Sequence, residues 1–303
     1  MILGNDVSYW QGKIDFNKMK AAGSRFVYIR VGLGYIKDKN YEANKQAVKE
    51  SGLPWGHYYV PTATTTLGNM LKAYRDMVGN DWGTLPPALD VETNGLGLGM
   101  FIEWLNSTEP LWLNGLPDDA SEIRKKLTFY TRGLFFDQYS DTKGYKKELG
   151  TRTNLWVAHY TYDPLKNPII PKNAWASYLI HQYSADENSL GVQYGVTSKS
   201  IDMNYFNGDE KYFADWVGEA PINEGGEPPV PNVGEKIRIK VAQLWGRTAP
   251  VLSPQTARYI TRNGEIYEKY GSPEKDLTSG VWYQPIKIPE QKVYVSTNYI
   301  EEV

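Results

Sequence analysis

The chain contains no cysteine, which excludes disulfides, thiolate zinc sites and every cysteine nucleophile. Histidine is scarce as well: His57, His159 and His181 are the only three, and their spacing holds no local ligand motif, so no metal centre is predicted. No run approaches the roughly 18 apolar residues that span a bilayer. The start, Met1 to Ser8, lacks the basic end and apolar stretch of a cleaved signal, so neither a membrane partner nor export by that route is expected. Net charge is also nearly absent. Thirty-three basic residues against 35 acidic ones give −2, which supplies no bulk pull toward nucleic acid or anionic lipid. Neither a G-x-G-x-x-G nor a P-loop is present; Gly95-Leu96-Gly97-Leu98-Gly99 has the wrong spacing, and no cofactor is expected. Whatever the protein does, it does with oxygen and nitrogen groups.

What the chain does have is a folded composition over 303 residues, 41% hydrophobic and 22% charged, long enough for more than one domain. Its aromatics are biased toward rings with a polar edge, 23 Tyr and 10 Trp against 8 Phe. Such rings suit carbohydrate, offering an apolar face to C–H groups and a hydrogen-bonding rim, although a Tyr-rich core gives the same composition. One break interrupts the pattern: residues 218–233 carry four Pro, three Gly and three Glu and no aromatic, the composition of an extended, solvated linker. It separates residues 1–217 from 234–303.

In the front segment, β-rich runs at Ile2–Ser8, Phe26–Val31, Trp55–Val60, Ala88–Glu92, Leu127–Tyr130, Leu155–Tyr160, Leu179–Tyr183 and Ile201–Asn204 alternate with room for helices such as Tyr41–Ser51, Asn69–Val78 and Glu210–Val217. That order predicts an α/β fold, a closed parallel (β/α) barrel, regular or not, with its site at the carboxyl ends of the strands. An open doubly wound sheet is the structural alternative. In the rear segment, short alternating runs separated by Gly, Pro and Asn predict a small all-β barrel.

The string Pro86-Pro87-Ala88-Leu89-Asp90-Val91-Glu92-Thr93 carries the chemistry. On a strand, residues two apart project from one face about 6.5–7 Å apart, so Asp90 and Glu92 share a mouth. Like charges that close raise the proton affinity of one member, the asymmetry that glycosidic bond cleavage requires. Asp6, in Asn5-Asp6-Val7-Ser8, and Asp202, in Ile201-Asp202-Met203-Asn204, sit on the first and last strands, which are neighbours in a closed barrel, and converge on the same mouth. Trp10 is either a sugar platform or a ring packed between the first two strands. Asn106-Ser107-Thr108 matches a glycosylation acceptor and is assigned no role.

From Asp6 to about Trp216 the sequence resembles the family 25 glycoside hydrolases, the Chalaropsis-type lysozymes of bacteria, fungi and phage endolysins. The resemblance rests on an ordered set: Asp6-Val7-Ser8 with Gln11-Gly12, Phe26-Val27-Tyr28-Ile29-Arg30, Gly56-His57-Tyr58, Leu89-Asp90-Val91-Glu92, Phe129-Tyr130-Thr131, Leu155-Trp156-Val157-Ala158-His159-Tyr160, Gln182-Tyr183-Ser184 and Ile201-Asp202-Met203-Asn204. It implies hydrolysis of the β-1,4 bond between N-acetylmuramic acid and N-acetylglucosamine in bacterial peptidoglycan. Glu92 falls on the family's general acid, Asp90 on the paired carboxylate, and Asp6 and Asp202 on supporting acids. Tyr58, Tyr130, Trp156, Tyr160 and Gln182 fall on substrate-facing positions. Two departures bear on the cleft: His181 stands where the family usually has Trp, and the segment from Asn94 to Lys126, with Trp104 and Trp112, is long and unaligned.

In the rear, Leu244-Trp245-Gly246-Arg247-Thr248-Ala249-Pro250, the Gly264 turn, Trp282 and Tyr294-Val295-Ser296-Thr297-Asn298-Tyr299-Ile300 resemble a bacterial Src-homology-3-like domain, which implies wall binding. A wall substrate without an export signal suggests a phage endolysin, held in the host cytoplasm until lysis and then acting on the wall. A chitinase-like hydrolase is the alternative enzyme, but its Asp-x-Asp-x-Glu string needs Asp where Ala88 stands. An inert wall-binding protein on the same scaffold is the alternative from another class, and retention of all four acids argues against it.

Overall fold

Eight strands close on themselves in the N-terminal part of the computed structural model, which describes residues 1–185, 190–198 and 200–218 in full and, beyond them, only the backbone of strands between Lys236 and Glu302. Contacts divide the chain into two units, Ile2–Pro221 and Ile222–Val303. The first begins with β1 (Ile2–Val7), α1 (Phe16–Ala21), β2 (Ser24–Leu33), β3 (Ile36–Lys37), α2 (Tyr41–Ser51), β4 (Trp55–Val60), α3 (Leu67–Val78) and β5 (Ala88–Val91). It continues with α4 (Leu98–Asn114), α5 (Glu122–Lys125), β6 (Leu127–Arg132), α6 (Gly133–Phe136), α7 (Tyr145–Arg152), β7 (Thr153–Ala158), β8 (Ile180–Ser184), α8 (Leu190–Gln193), β9 (Asp202–Phe206) and α9 (Glu210–Val217). The sheet order β1-β9-β8-β7-β6-β5-β4-β2, with β1 also pairing β2, is a closed eight-stranded barrel; β3 extends β2 as a hairpin.

The expected all-parallel closure needs one correction. Around the barrel β1, β2, β4, β5, β6, β7 and β8 pair in parallel, but β9 runs antiparallel to both β8 and β1. Among the described residues the connection from β8 to β9 contains the four-residue helix α8. Its described residues lie against the turn after β1, where Ile14 bridges Val196 and the Thr197 N–H donates to the carbonyls of Gln11 and Lys13. Asp202 therefore opens its strand rather than closing it, and still reaches the mouth, opposite Asp6.

Helices form where apolar spacing and caps agree. In α3 the buried residues are Met70, Tyr74, Met77 and Val78, one helical face, and Thr66 caps the start by accepting from the Asn69 N–H. α9 is capped by Asp209 and buries Phe213, Ala214, Trp216 and Val217. The long segment 94–126 is absorbed by α4 and α5: Trp104 and Trp112 are buried in the layer between sheet and helices, and the Trp112 indole N–H donates to the Arg124 carbonyl at 2.8 Å. It does not shape the mouth.

Two apolar layers result. The outer one lies between sheet and helices. The inner one fills the lower barrel, where Phe26, Phe206, Phe213 and Trp216 cluster with ring centroids 5.1–6.1 Å apart. Trp216 is fully buried, so α9 belongs to the barrel's packing; truncating such a residue to Ala costs about 3–5 kcal/mol. Rings this large fit because two interior positions lack side chains. A Cβ on Gly4 would stand 2.5 Å from the Phe26 ring, and one on Gly56 2.8 Å from the Tyr28 ring.

In the second unit, β10 (Lys236–Ile239), β11 (Gln243–Arg247), β12 (Ala257–Arg262), β13 (Ile266–Glu268), β14 (Glu274–Lys275), β15 (Trp282–Ile288), β16 (Gln291–Ser296) and β17 (Ile300–Glu302) form a three-stranded and a five-stranded sheet. Every pairing is antiparallel. The linker expected at 218–233 lies, beyond Gly218, outside the described residues, as do the Gly264 turn and the side chains of Trp245 and Trp282.

The glycine requirement is testable. Gly4→Ala should destabilise the protein by about 1–3 kcal/mol through overpacking, read from denaturant melts. Adding Phe26→Leu should recover part of that loss; no recovery would show that the Gly4–Phe26 approach is not the cause.

Candidate active site

Trp156 forms the floor of the mouth. It is 2% exposed, stacked on Tyr28 at 4.8 Å and met edge-on by Tyr130 at 4.8 Å and Tyr58 at 6.3 Å. Its indole can only donate, and donates to Asn204 Oδ1 at 2.8 Å. That turns the Asn204 amide so that Nδ2 donates to Asp6 Oδ2 at 2.7 Å. The other side mirrors it: the Tyr130 hydroxyl donates to Gln182 Oε1 at 2.8 Å, and Gln182 Nε2 donates to Asp6 Oδ2 at 2.9 Å. Both amide orientations are thereby set by their neighbours, and both aim at one carboxylate.

Asp6 also faces the side chain of Asp202, its partner across the β1–β9 pair. Burial raises the proton affinity of Asp6, Glu92 adds to the rise, and the amides of Asn204 and Gln182 and the contact with Asp202 oppose it.

Above this floor a cavity of about 230 Å³ is lined by Asp6, Arg30, Tyr58, Asp90, Glu92, Thr93, Tyr130, Trp156, Gln182 and Asp202, with Leu33 and Val60 at its edge. All four expected acids meet there, although they come from β1, the end of β5 and β9. Asp90 is buried and its Oδ1 has no hydrogen-bond partner. Burial pushes its proton affinity well above the usual carboxylate range, with Glu92 and Asp6 adding to the rise and Arg30 and Arg132 opposing it. Glu92, one residue past β5, has a side chain 38% exposed with Arg132 Nε 3.8 Å from Oε2. That separation is too long for a hydrogen bond and is worth little in water.

Other expected positions fall elsewhere. β7 ends at Ala158, so Tyr160 loses the strand parity that would set it beside Trp156; it is 41% exposed, lies outside the cavity lining and hydrogen-bonds with Tyr130. Burial still pushes its hydroxyl up to about 12. Trp10 is 67% exposed on the turn after β1, its ring tilted 32° against that of Tyr9 with centroids 4.4 Å apart. It is therefore not packed between strands, nor does it line the cavity. His57 and His181 point away from the mouth, one on the Tyr74 hydroxyl at 2.8 Å, the other on the His159 carbonyl at 2.8 Å. Position 181, where the family usually has Trp, thus leaves the cleft untouched. Burial holds the His57 ring down to about 3, chiefly neutral. Among the described residues no cluster of three His, Asp or Glu could hold a metal ion.

Arg30 and Asn204 are the site residues that sequence reading left without a role. Both stood inside strings already singled out, and the period that paired Asp90 with Glu92 also puts Arg30 on the face of Tyr28 and Asn204 on that of Asp202.

Buried Asp90 carries a stability consequence. Above its ordinary value near 4 the unfolded chain loses this proton while the folded protein keeps it, so Asp90 destabilises the empty enzyme increasingly as pH rises toward its folded value. Asp90→Asn should therefore melt higher than the parent at pH 7, with the difference shrinking as pH approaches 4. A lower or pH-independent melting temperature would contradict this.

The family model for glycosyl hydrolases family 25 matches residues 5–192. The chain is similar to Lysozyme M1 of Streptomyces globisporus, 27% identical over 220 residues that cover 68% of either chain. A bacterial lysozyme from Streptomyces coelicolor shares the fold at a TM-score of 0.55 and 23% identity, over 72% of this chain and 98% of that one. The CTP1L endolysin does so at 0.55 and 18% identity, over 73% and 71%. With a match spanning most of the chain and four acids gathered in the barrel mouth, the protein belongs to glycosyl hydrolases family 25 and is a glycoside hydrolase.

Proposed function

We propose that the protein is an N-acetylmuramidase, cleaving the β-1,4 bond between N-acetylmuramic acid and N-acetylglucosamine in peptidoglycan with retention of configuration. The observation that carries this reading is the division of one carboxyl pair by depth: Asp90 buried with an unpartnered oxygen, Glu92 open to the cavity. The substrate's 2-acetamido oxygen attacks the anomeric carbon as the bond to the leaving sugar breaks, and Glu92 gives its proton to the leaving oxygen. Asp90 accepts the acetamido N–H and stabilises the charged ring that forms. Glu92 then takes a proton from water, which attacks the same carbon and restores the acetamido group.

In the empty cleft burial holds a proton on Asp90. A bound glycan supplies an N–H to Asp90, which favours its anion. The related lysozyme sequence supports the substrate class. We place the enzyme in phage-driven host lysis, acting on the wall after release from the cytoplasm, with residues 234–303 as a wall-binding domain tethered by 218–233.

The deciding measurement is mass spectrometry of digested peptidoglycan: muramic acid at the new reducing end is expected, and glucosamine there would favour the chitinase-like alternative. Glu92→Gln should lower turnover by about 10²–10⁴-fold or more with the fold intact; wall clearance above a tenth of the parent rate would refute its role. The first product should retain the β configuration by proton NMR, with no sugar ester trapped on Asp90. Removal of residues 218–303 should spare hydrolysis of small soluble glycans and weaken clearance of intact walls, because a tethered binder raises the local concentration of the site. Equal activity on walls from several hosts would show that the second unit does not target.

A further inference from the structure

The side chain of Asp38, just after β3, is fully buried. Its Oδ2 accepts from Arg30 Nε at 2.9 Å and from the Tyr9 N–H at 3.1 Å, and its Oδ1 accepts from the Asn40 N–H at 2.9 Å. The Asp38 N–H donates to the Val31 carbonyl at 2.9 Å, which pins the residue to the end of β2. The carboxylate is saturated, and its charge is spent on one cation.

Arg30 is held on a second side by the Tyr9 ring, 5.0 Å from its guanidinium. Its side chain is 14% exposed and lines the catalytic cavity, where it is the only cation among the described residues of the lining. Only Nε is used in this clamp; among the described residues the two Nη groups have no hydrogen-bond acceptor. A two-pronged donor thus lines a cavity otherwise formed by carboxyls, by the Gln182 amide bonded to Asp6 and Tyr130, by Thr93, by aromatic and phenolic rings, and by Leu33 and Val60 at its edge.

Such a fork matches an acyl or carboxylate oxygen better than a hydroxyl. Each repeat of the glycan offers two kinds of acyl oxygen. The acetamido oxygen occurs on both sugars, so binding it would not tell them apart, and on the residue whose bond breaks it is the nucleophile of the mechanism above, a role that a cation bound to it would suppress. The lactyl acyl oxygen occurs on muramic acid alone.

We propose that Arg30 binds the lactyl acyl oxygen of the muramyl residue, so that it selects muramic acid over glucosamine, and that Asp38 is its positioning residue. The proposal rests on the peptidoglycan reading. It is tested with the full chain in the Glu92→Gln background, where the glycan stays intact. Two ligands of equal length are titrated by calorimetry: chitotetraose, and a tetrasaccharide alternating N-acetylglucosamine and N-acetylmuramic acid with its lactyl groups amidated, as the wall's peptides leave them.

Arg30→Met should weaken the muramyl tetrasaccharide roughly 10- to 100-fold, the worth of a hydrogen bond to a charged group, and leave chitotetraose within about threefold. Arg30→Lys, which keeps charge without the fork, should recover only part. Asp38→Asn, verified as folded by circular dichroism, should shift the ratio of the two affinities in the same direction; a purely structural role would lower both alike. Unchanged affinity for the muramyl ligand in Arg30→Met overturns the proposal, as does an equal loss on both ligands. If the Glu92→Gln parent itself prefers chitotetraose, the peptidoglycan reading fails, and this proposal with it.

Discussion

A single buried carboxylate, Asp6, joins the strands at which the barrel closes. Its donors come from β8 and β9, and those donors are oriented in turn by Tyr130 of β6 and Trp156 of β7. Five of the eight strands therefore contribute to one directional chain of hydrogen bonds ending on one oxygen. Such bonds are worth about 0.5–3 kcal/mol each, depending on the charge of the acceptor, but the larger effect is negative: any strand placed one residue out of register leaves a buried carboxyl without its donors. The antiparallel course of β9 meets the same requirement. Asp202 stands opposite Asp6, and Asn204 stands opposite Gly4, where no side chain competes for the interior.

The two ends of the barrel divide the work. At the base, Phe26, Phe206, Phe213 and Trp216 bury large apolar rings and hold α9, the kind of packing on which stability depends. At the mouth, Asp6 and Asp90 are both pushed toward their neutral forms by burial and by their neighbours' charge. An acid cluster there opposes folding, and the apolar base offsets it. Arg30 relieves part of the repulsion around Asp90 without neutralising it, because its own charge is shared with Asp38.

Much of this was legible before any coordinates. The helix read at Tyr41–Ser51, the strand at Trp55–Val60 and the helix at Glu210–Val217 coincide with α2, β4 and α9, since apolar period and turn residues agree at each. Asp90 and Glu92 were placed together by the two-residue period of a strand alone. What escaped was information that period does not carry. Strand direction is one example: Ile201–Asn204 reads the same up or down, and only its pairing with β1 and β8 settles it. Strand length is another, because Tyr160 keeps the parity of Trp156 only while the strand continues, and β7 stops at Ala158. Inward and outward faces are a third; position 181 carries an aromatic-to-histidine departure, but it lies on the outer layer beside His159.

The division of roles between the paired acids has the same origin in strand length. β5 ends at Val91. Asp90 therefore stays within the wall, in register with Tyr130 of β6, while Glu92, one pleat higher and about 6.5–7 Å along the chain, passes the rim into water. Arg132 stands two residues beyond Tyr130 and meets Glu92 at the same height. Two side chains of nearly equal intrinsic acidity thus acquire opposite environments from a difference in depth. Extending β5 by one turn of the pleat would bury both, and ending it one pleat earlier would expose both. Only the observed length leaves a buried acceptor beneath an accessible acid.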